Sequence, residues 1–138
     1  MKTTRATVIV SSLVLLVCAH PPIPEEQKKM IDDCKKETQF TEEMRLTDGL
    51  TRDKKCFAAC LMKKYGVLHE DGTIDRSKLV ENAEKVFPSG IPDKAKSALA
   101  ECVEIVGHND DACETAHLLV QCKRDQLAKL NIDPSFAL

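Results

Sequence analysis

Residues 112–130 read ACETAHLLVQCKRDQLAKL. At 100° per residue Leu118, Cys122, Leu119, Ala112, Leu130, Ala116, Leu127, Val120 and Cys113 spread over an arc of about 220°, far wider than the apolar stripe of a surface helix. A helix apolar round most of its circumference must be covered on several sides, so this one is expected at the centre of a helical core. Its cysteines, Cys113 and Cys122, are nine residues apart, on opposite faces and about 13 Å apart along the axis, so they cannot bond to each other.

Outward from this helix, starts and stops alternate with few strand signals. Pro24-Glu25-Glu26 suits a first helical turn, and the chain then runs to Thr38 without Gly or Pro. Thr41 is the expected cap of a short helix reaching Gly49, and Asp53 of a third ending at Gly66, whose tolerance of positive φ suits a C-terminal cap. His69 to Thr73 is a turn by composition. Asp75 opens a fourth helix stopped by Pro88. Pro92-Asp93 opens a fifth ending at Gly107, and Asp110 or Asp111 opens the last. The expected fold is all-α, a bundle of six helices stapled by disulfides, with no repeat or linker to divide residues 20–138 into two domains.

The first nineteen residues stand apart. Lys2 and Arg5 precede an apolar run from Val8 to Val17, and Val17-Cys18-Ala19 offers small residues for cleavage, so residues 1–19 are expected to be a secretory signal. Cys18 leaves with it, and seven cysteines become six, an even number suited to an oxidising compartment. The formal charge of −2 becomes −4 once Lys2 and Arg5 are removed. No basic block invites nucleic acid or an anionic membrane, and no stable membrane insertion is expected. Cys56 and Cys60, four apart on one helix face, point the same way and should bond to different elements. Of the fifteen pairings of six cysteines, excluding Cys56–Cys60 and Cys113–Cys122 leaves ten.

Between the six cysteines Cys34, Cys56, Cys60, Cys102, Cys113 and Cys122 lie 21, three, 41, ten and eight residues. With the Asp71-Gly72-x-Ile74 turn and the Cys113-Glu114-x-Ala116 helix start, this pattern resembles the six-cysteine insect odorant-binding proteins, of the pheromone and general-odorant-binding family. The resemblance implies bonds Cys34–Cys60, Cys56–Cys113 and Cys102–Cys122. It also implies six helices round an apolar cavity that carries a small hydrophobic, volatile ligand through the sensillum lymph around chemosensory neurons. A chemosensory receptor is a further partner the resemblance suggests. A monomer or weak homodimer is the expected state.

Other chemistries fit the residues poorly. Placing Gly72 at the sixth position of a calcium loop puts Val67 and Lys78 where carboxylates are needed. With the thiols in disulfides, His20, His69, His108 and His117 are too scattered for a zinc site, so no metal and no cofactor are expected. Asp110 and Asp111 read as helix caps and dipole partners. A secreted phospholipase would need a His-Asp pair beside cysteines and a Gly-rich calcium loop, and neither is present. Enzymatic activity is not expected.

The expected ligand-binding residues are Phe57, Leu61, Leu79, Val80, Ala83, Phe87, Leu99, Leu118 and Leu119, joined by Phe136 from the tail. Ten buried methylenes at ~0.8 kcal/mol each, less an association cost of at least ~4 kcal/mol, leave at most ~4 kcal/mol, so affinity in the micromolar range requires packing contacts beyond these. Pro134 bends the tail, and Ile132, Phe136 and Leu138 make it apolar enough to serve as a lid. Protonation of His69, His108 and His117 between about pH 7 and 5 offers a route to ligand release. Two other readings stand beside the olfactory carrier: a carrier in haemolymph, gland or cuticle, and a structural helical protein with a filled core.

Overall fold

The computed structural model describes residues 23–41, 43–44, 50–87 and 89–133. Five helices are defined within them: α1 (Glu25–Thr38), α2 (Arg52–Lys64), α3 (Arg76–Val86), α4 (Asp93–Val106) and α5 (Ala112–Lys129). The expected second helix falls mostly outside the described residues. The signal sequence, Pro134 and Phe136 fall outside them entirely. At Thr41 the expected cap contact is present, its Oγ1 accepting from the Met44 N–H at 3.2 Å.

Local chemistry accounts for the helix ends. The Asp75 side chain accepts from the Lys78 N–H, and Asp111 accepts from the N–H groups of Cys113 and Glu114, satisfying donors that have no partner inside the helix. The cap of α2 is Thr51, which accepts from the Lys54 N–H, and not Asp53 as expected. Thr51 holds the extended backbone a cap requires, while Asp53 sits in the first turn, where its charge faces the positive end of the helix. After α2, Gly66 takes φ +73°, its N–H bonds to the Lys63 carbonyl, and the Val67 N–H reaches back to Met62. The same closure ends α5, with Asn131 at φ 55°, its N–H on Ala128 and the Ile132 N–H on Leu127. The chain therefore turns back at Asn131, before Pro134 is reached.

α5 packs between α2 and α4, with α1 outside α2 and α3 outside α4. Two neighbours explain its wide apolar arc. Ala116 and Leu119 are wholly buried, and Thr115 is buried as well, its hydroxyl lying 3.1 Å from the Asp111 carbonyl oxygen, to which it donates. Disulfides Cys34–Cys60, Cys56–Cys113 and Cys102–Cys122 tie α1 to α2, α2 to α5 and α4 to α5. Ion pairs Arg52–Asp111 at 2.7 Å and Lys55–Glu114 at 2.6 Å flank the Cys56–Cys113 bond. Between α2 and α3 the His69 to Thr73 turn closes on an antiparallel bridge of Leu68 with Ile74.

Candidate functional site

The buried side chains form two apolar clusters strung along α5. The first gathers Ala59, Met62, Val67, Leu68, Leu79, Cys102, Ala116 and Leu119 from α2, α3, α4, α5 and the intervening turn. The second gathers Ile91, Ala95, Leu99 and Leu127, with Ala83, Phe87, Leu130 and Ile132 packed against it. Of the expected binding residues, Leu79 and Leu119 thus meet in one cluster, while Ala83, Phe87 and Leu99 meet in the other. Phe57, Leu61, Val80 and Leu118 are half-buried and belong to neither cluster. Phe57 instead stacks on Phe40, with ring centroids 4.3 Å apart and planes 11° from parallel.

An open cleft of about 520 Å³ lies elsewhere, between α1, α2 and the start of α5. Its walls are Glu37, Thr38, Cys56, Ala59, Cys60, Lys63, Lys64, Glu70, Ala112 and Cys113, and it contains none of the expected apolar residues of the described chain. Its charges are already paired, Lys64 with Glu37 at 3.0 Å and Lys63 with Glu70 at 2.6 Å. The cleft offers little to an apolar ligand. Among the described residues no group of three or more His, Cys, Asp or Glu is arranged to hold a metal ion.

Two of the expected pH-sensing histidines sit beside acids at the surface, while His117 is half-buried on α5. His69 lies 3.8 Å from Asp75, and His108 lies 3.0 Å from Asp110. Asp71, in the turn between α2 and α3, has its carboxyl held below the usual range, first by the Thr73 hydroxyl and backbone N–H and also by His69 and His108.

Reading the sequence as apolar arcs missed Lys123. It is half-buried on α5, one turn from wholly buried Leu119 and one turn from Leu127. Burial pushes its ammonium down to about 8, with the Arg124 charge acting in the same direction. Its angular position was the available signal. On the helix it falls within about 40° of Ala116, Leu119 and Leu127, in the middle of the face that turns inward.

Among the described residues no helix is long and apolar enough to cross a membrane. In fold, the chain is similar to a solved Locusta migratoria odorant-binding protein, lmigOBP1, with a TM-score of 0.57 at 24% identity over 82% of this chain and 84% of that one. In sequence, it is 31% identical over 120 residues to general odorant-binding protein 56a of Drosophila melanogaster, covering 80% of this chain and 82% of the relative. General odorant-binding protein 57c of the same fly is 29% identical over 75 residues, 54% of this chain and 46% of that protein. The model of the PBP/GOBP family matches residues 19–126, a stretch that contains all six paired cysteines and every described helix but the last turn of α5. The three-disulfide helical frame built round α5 is therefore that of an insect odorant-binding protein, and the chain belongs to the PBP/GOBP family.

Proposed function

We propose that the protein is a secreted carrier that takes up small hydrophobic ligands into an apolar interior bounded by α2, α3, α4 and α5. Members of its family are binding proteins without enzymatic activity. The observation that carries the reading is the division of the interior into two apolar clusters along one central helix, inside a frame held by three disulfides. Such a frame keeps its shape while the side chains between its walls part to admit a ligand. The ligand would lie between the clusters, against Leu79 and Leu119 on one side and Ala83, Phe87 and Leu99 on the other. Leu61, Val80 and Leu118 stand at the margin.

Export is supported by three disulfides and by a family match that begins at residue 19, where the expected signal sequence ends. Transport of odorants or pheromones through sensillum lymph is the role in keeping with the names of the relatives. With no tryptophan in the chain, binding must be followed with an added fluorophore. The test is displacement of N-phenyl-1-naphthylamine from the oxidised mature protein by a panel of apolar volatiles. Micromolar binding of the probe and its displacement support a carrier, whereas a protein that takes up no probe at any concentration up to solubility is a structural one.

A further inference from the structure

The three disulfides have different surroundings. Cys34 and Cys102 are wholly buried, so Cys34–Cys60 and Cys102–Cys122 each have one cysteine sealed from solvent. Cys56 and Cys113 are both half-buried, and both line the open cleft of about 520 Å³ between α1, α2 and the start of α5. Of the other two bonds only Cys60 reaches that cleft, and it is 8% exposed. Exchange with a thiol requires access to one sulfur and a partner sulfur able to carry the negative charge with which it leaves. Attack on Cys60 would expel Cys34, and attack on Cys122 would expel Cys102, each as a thiolate out of reach of water, which burial disfavours. A Glu37 carboxylate oxygen also lies 3.3 Å from the Cys60 sulfur, a negative charge that repels an approaching thiolate. At Cys56–Cys113 neither penalty applies. Cys113 is the second residue of α5, at the positive end of that helix, where a thiolate is favoured. The carboxylates of Asp111 and Glu114 beside it are paired with Arg52 at 2.7 Å and Lys55 at 2.6 Å, so their charge is balanced.

We propose that Cys56–Cys113 is a site of covalent modification by small thiols of the glutathione class, which enter the cleft and exchange with this bond ahead of the other two. The thiolate attacks the Cys56 sulfur and forms a new sulfur–sulfur bond, while the electron pair of the old bond leaves on Cys113, which takes a proton from water. A second thiolate attacks the small-molecule sulfur of the mixed disulfide and releases Cys56 as a thiolate. Two thiols are thereby oxidised to one disulfide as Cys56 and Cys113 are reduced. In the product α5 keeps its bond to α4 but is held to α2 by packing and the two ion pairs alone.

The test exposes the oxidised mature protein to reduced glutathione at about pH 8, where part of the thiol is ionised. Samples are quenched with N-ethylmaleimide, and the cysteines that carry the label or glutathione are mapped by peptide mass spectrometry. The expected result is modification of Cys56 and Cys113 at least about tenfold faster than of the other four paired cysteines. First modification at Cys34–Cys60 or Cys102–Cys122, or a single rate for all three bonds, overturns the proposal. Repeating the reaction in sub-denaturing urea separates attack through the cleft from attack on opened molecules. A rate at Cys56–Cys113 that is proportional to glutathione and unmoved by urea is expected. A rate that climbs with urea as stability falls shows that unfolding exposes the bond, and overturns the proposal as well.

Discussion

Gly72 presses against Asn109: a Cβ built on Gly72 would stand 2.4 Å from the Asn109 carbonyl oxygen. The turn between α2 and α3 is thereby seated on the connection between α4 and α5. Gly72 also has φ +84°, a region that L side chains rarely adopt. Gly72→Ala should therefore cost about 2 to 4 kcal/mol of stability, since neither backbone can move aside without disturbing the Asp111 cap. Gly90 is the control. It has φ +80° with nothing within 4 Å of the added carbon, so Gly90→Ala should cost only about 1 kcal/mol. Urea denaturation of the oxidised proteins measures both, and equal losses would mean that the contact with Asn109 carries no weight.

Phe40 and Phe57 join the end of α1 to α2 by stacking. A double-mutant cycle with Phe40→Ala and Phe57→Ala should give a coupling of about 0.5 to 1.5 kcal/mol, the usual worth of an aromatic pair beyond its buried area. Additive losses in thermal denaturation would show that the rings only share a neighbourhood.

How far the sequence could be read depended on whether the signal was local. Asp75, Gly66 and Gly107, and Asp111 as one of two candidates, punctuate helices through contacts with residues two to four positions away, and so could be placed in advance. The choice of Thr51 over Asp53 as a cap turned on one residue's backbone angles, which two competent cap residues in close succession leave open. The wide apolar arc of α5 pointed correctly to a helix covered on two sides. The same arc treated every charged residue as outward-facing, and so passed over Lys123, whose position on the helix contradicts its polarity. The grouping of expected pocket residues was harder still. Leu79 and Leu99 look alike in sequence, and only the packing of α3 against α4 assigns them to different clusters.

The lowered pKa of Lys123 makes stability depend on alkaline pH. The folded value is about 8 against an ordinary 10.5, so between these values the unfolded chain binds more protons than the folded one. Stability then rises as pH climbs through this window, by about 3 kcal/mol in full. Lys123→Met should abolish that rise and be the more stable protein at pH 7. Denaturation midpoints from pH 7 to 10 for both proteins cancel the titration of groups they share, and parallel profiles would contradict the assignment.

Loss of a disulfide should matter most where it spans the most chain. Cys56–Cys113 closes a separation of 57 residues, against 26 for Cys34–Cys60 and 20 for Cys102–Cys122. Replacing each pair by alanine should cost about 3 to 4 kcal/mol, with the Cys56–Cys113 pair at the upper end. Thermal denaturation of the three double variants gives the order, and thiol titration of the denatured, unreduced parent should find no free thiol.

Among the described helices α3 alone contributes no cysteine. It is attached by packing, by the Lys96–Glu84 pair at 2.6 Å and by the Asn82 side-chain amide donating to the Tyr65 carbonyl at 3.1 Å. Displacing α1, α2, α4 or α5 strains a covalent bond, whereas displacing α3 stretches none. Mechanical compliance is thus concentrated in one wall, the wall that carries Leu79 toward one cluster and Ala83 toward the other. The amides of α3 should accordingly exchange with solvent through smaller openings than those of α5, so that local unfolding of the interior begins at this one wall.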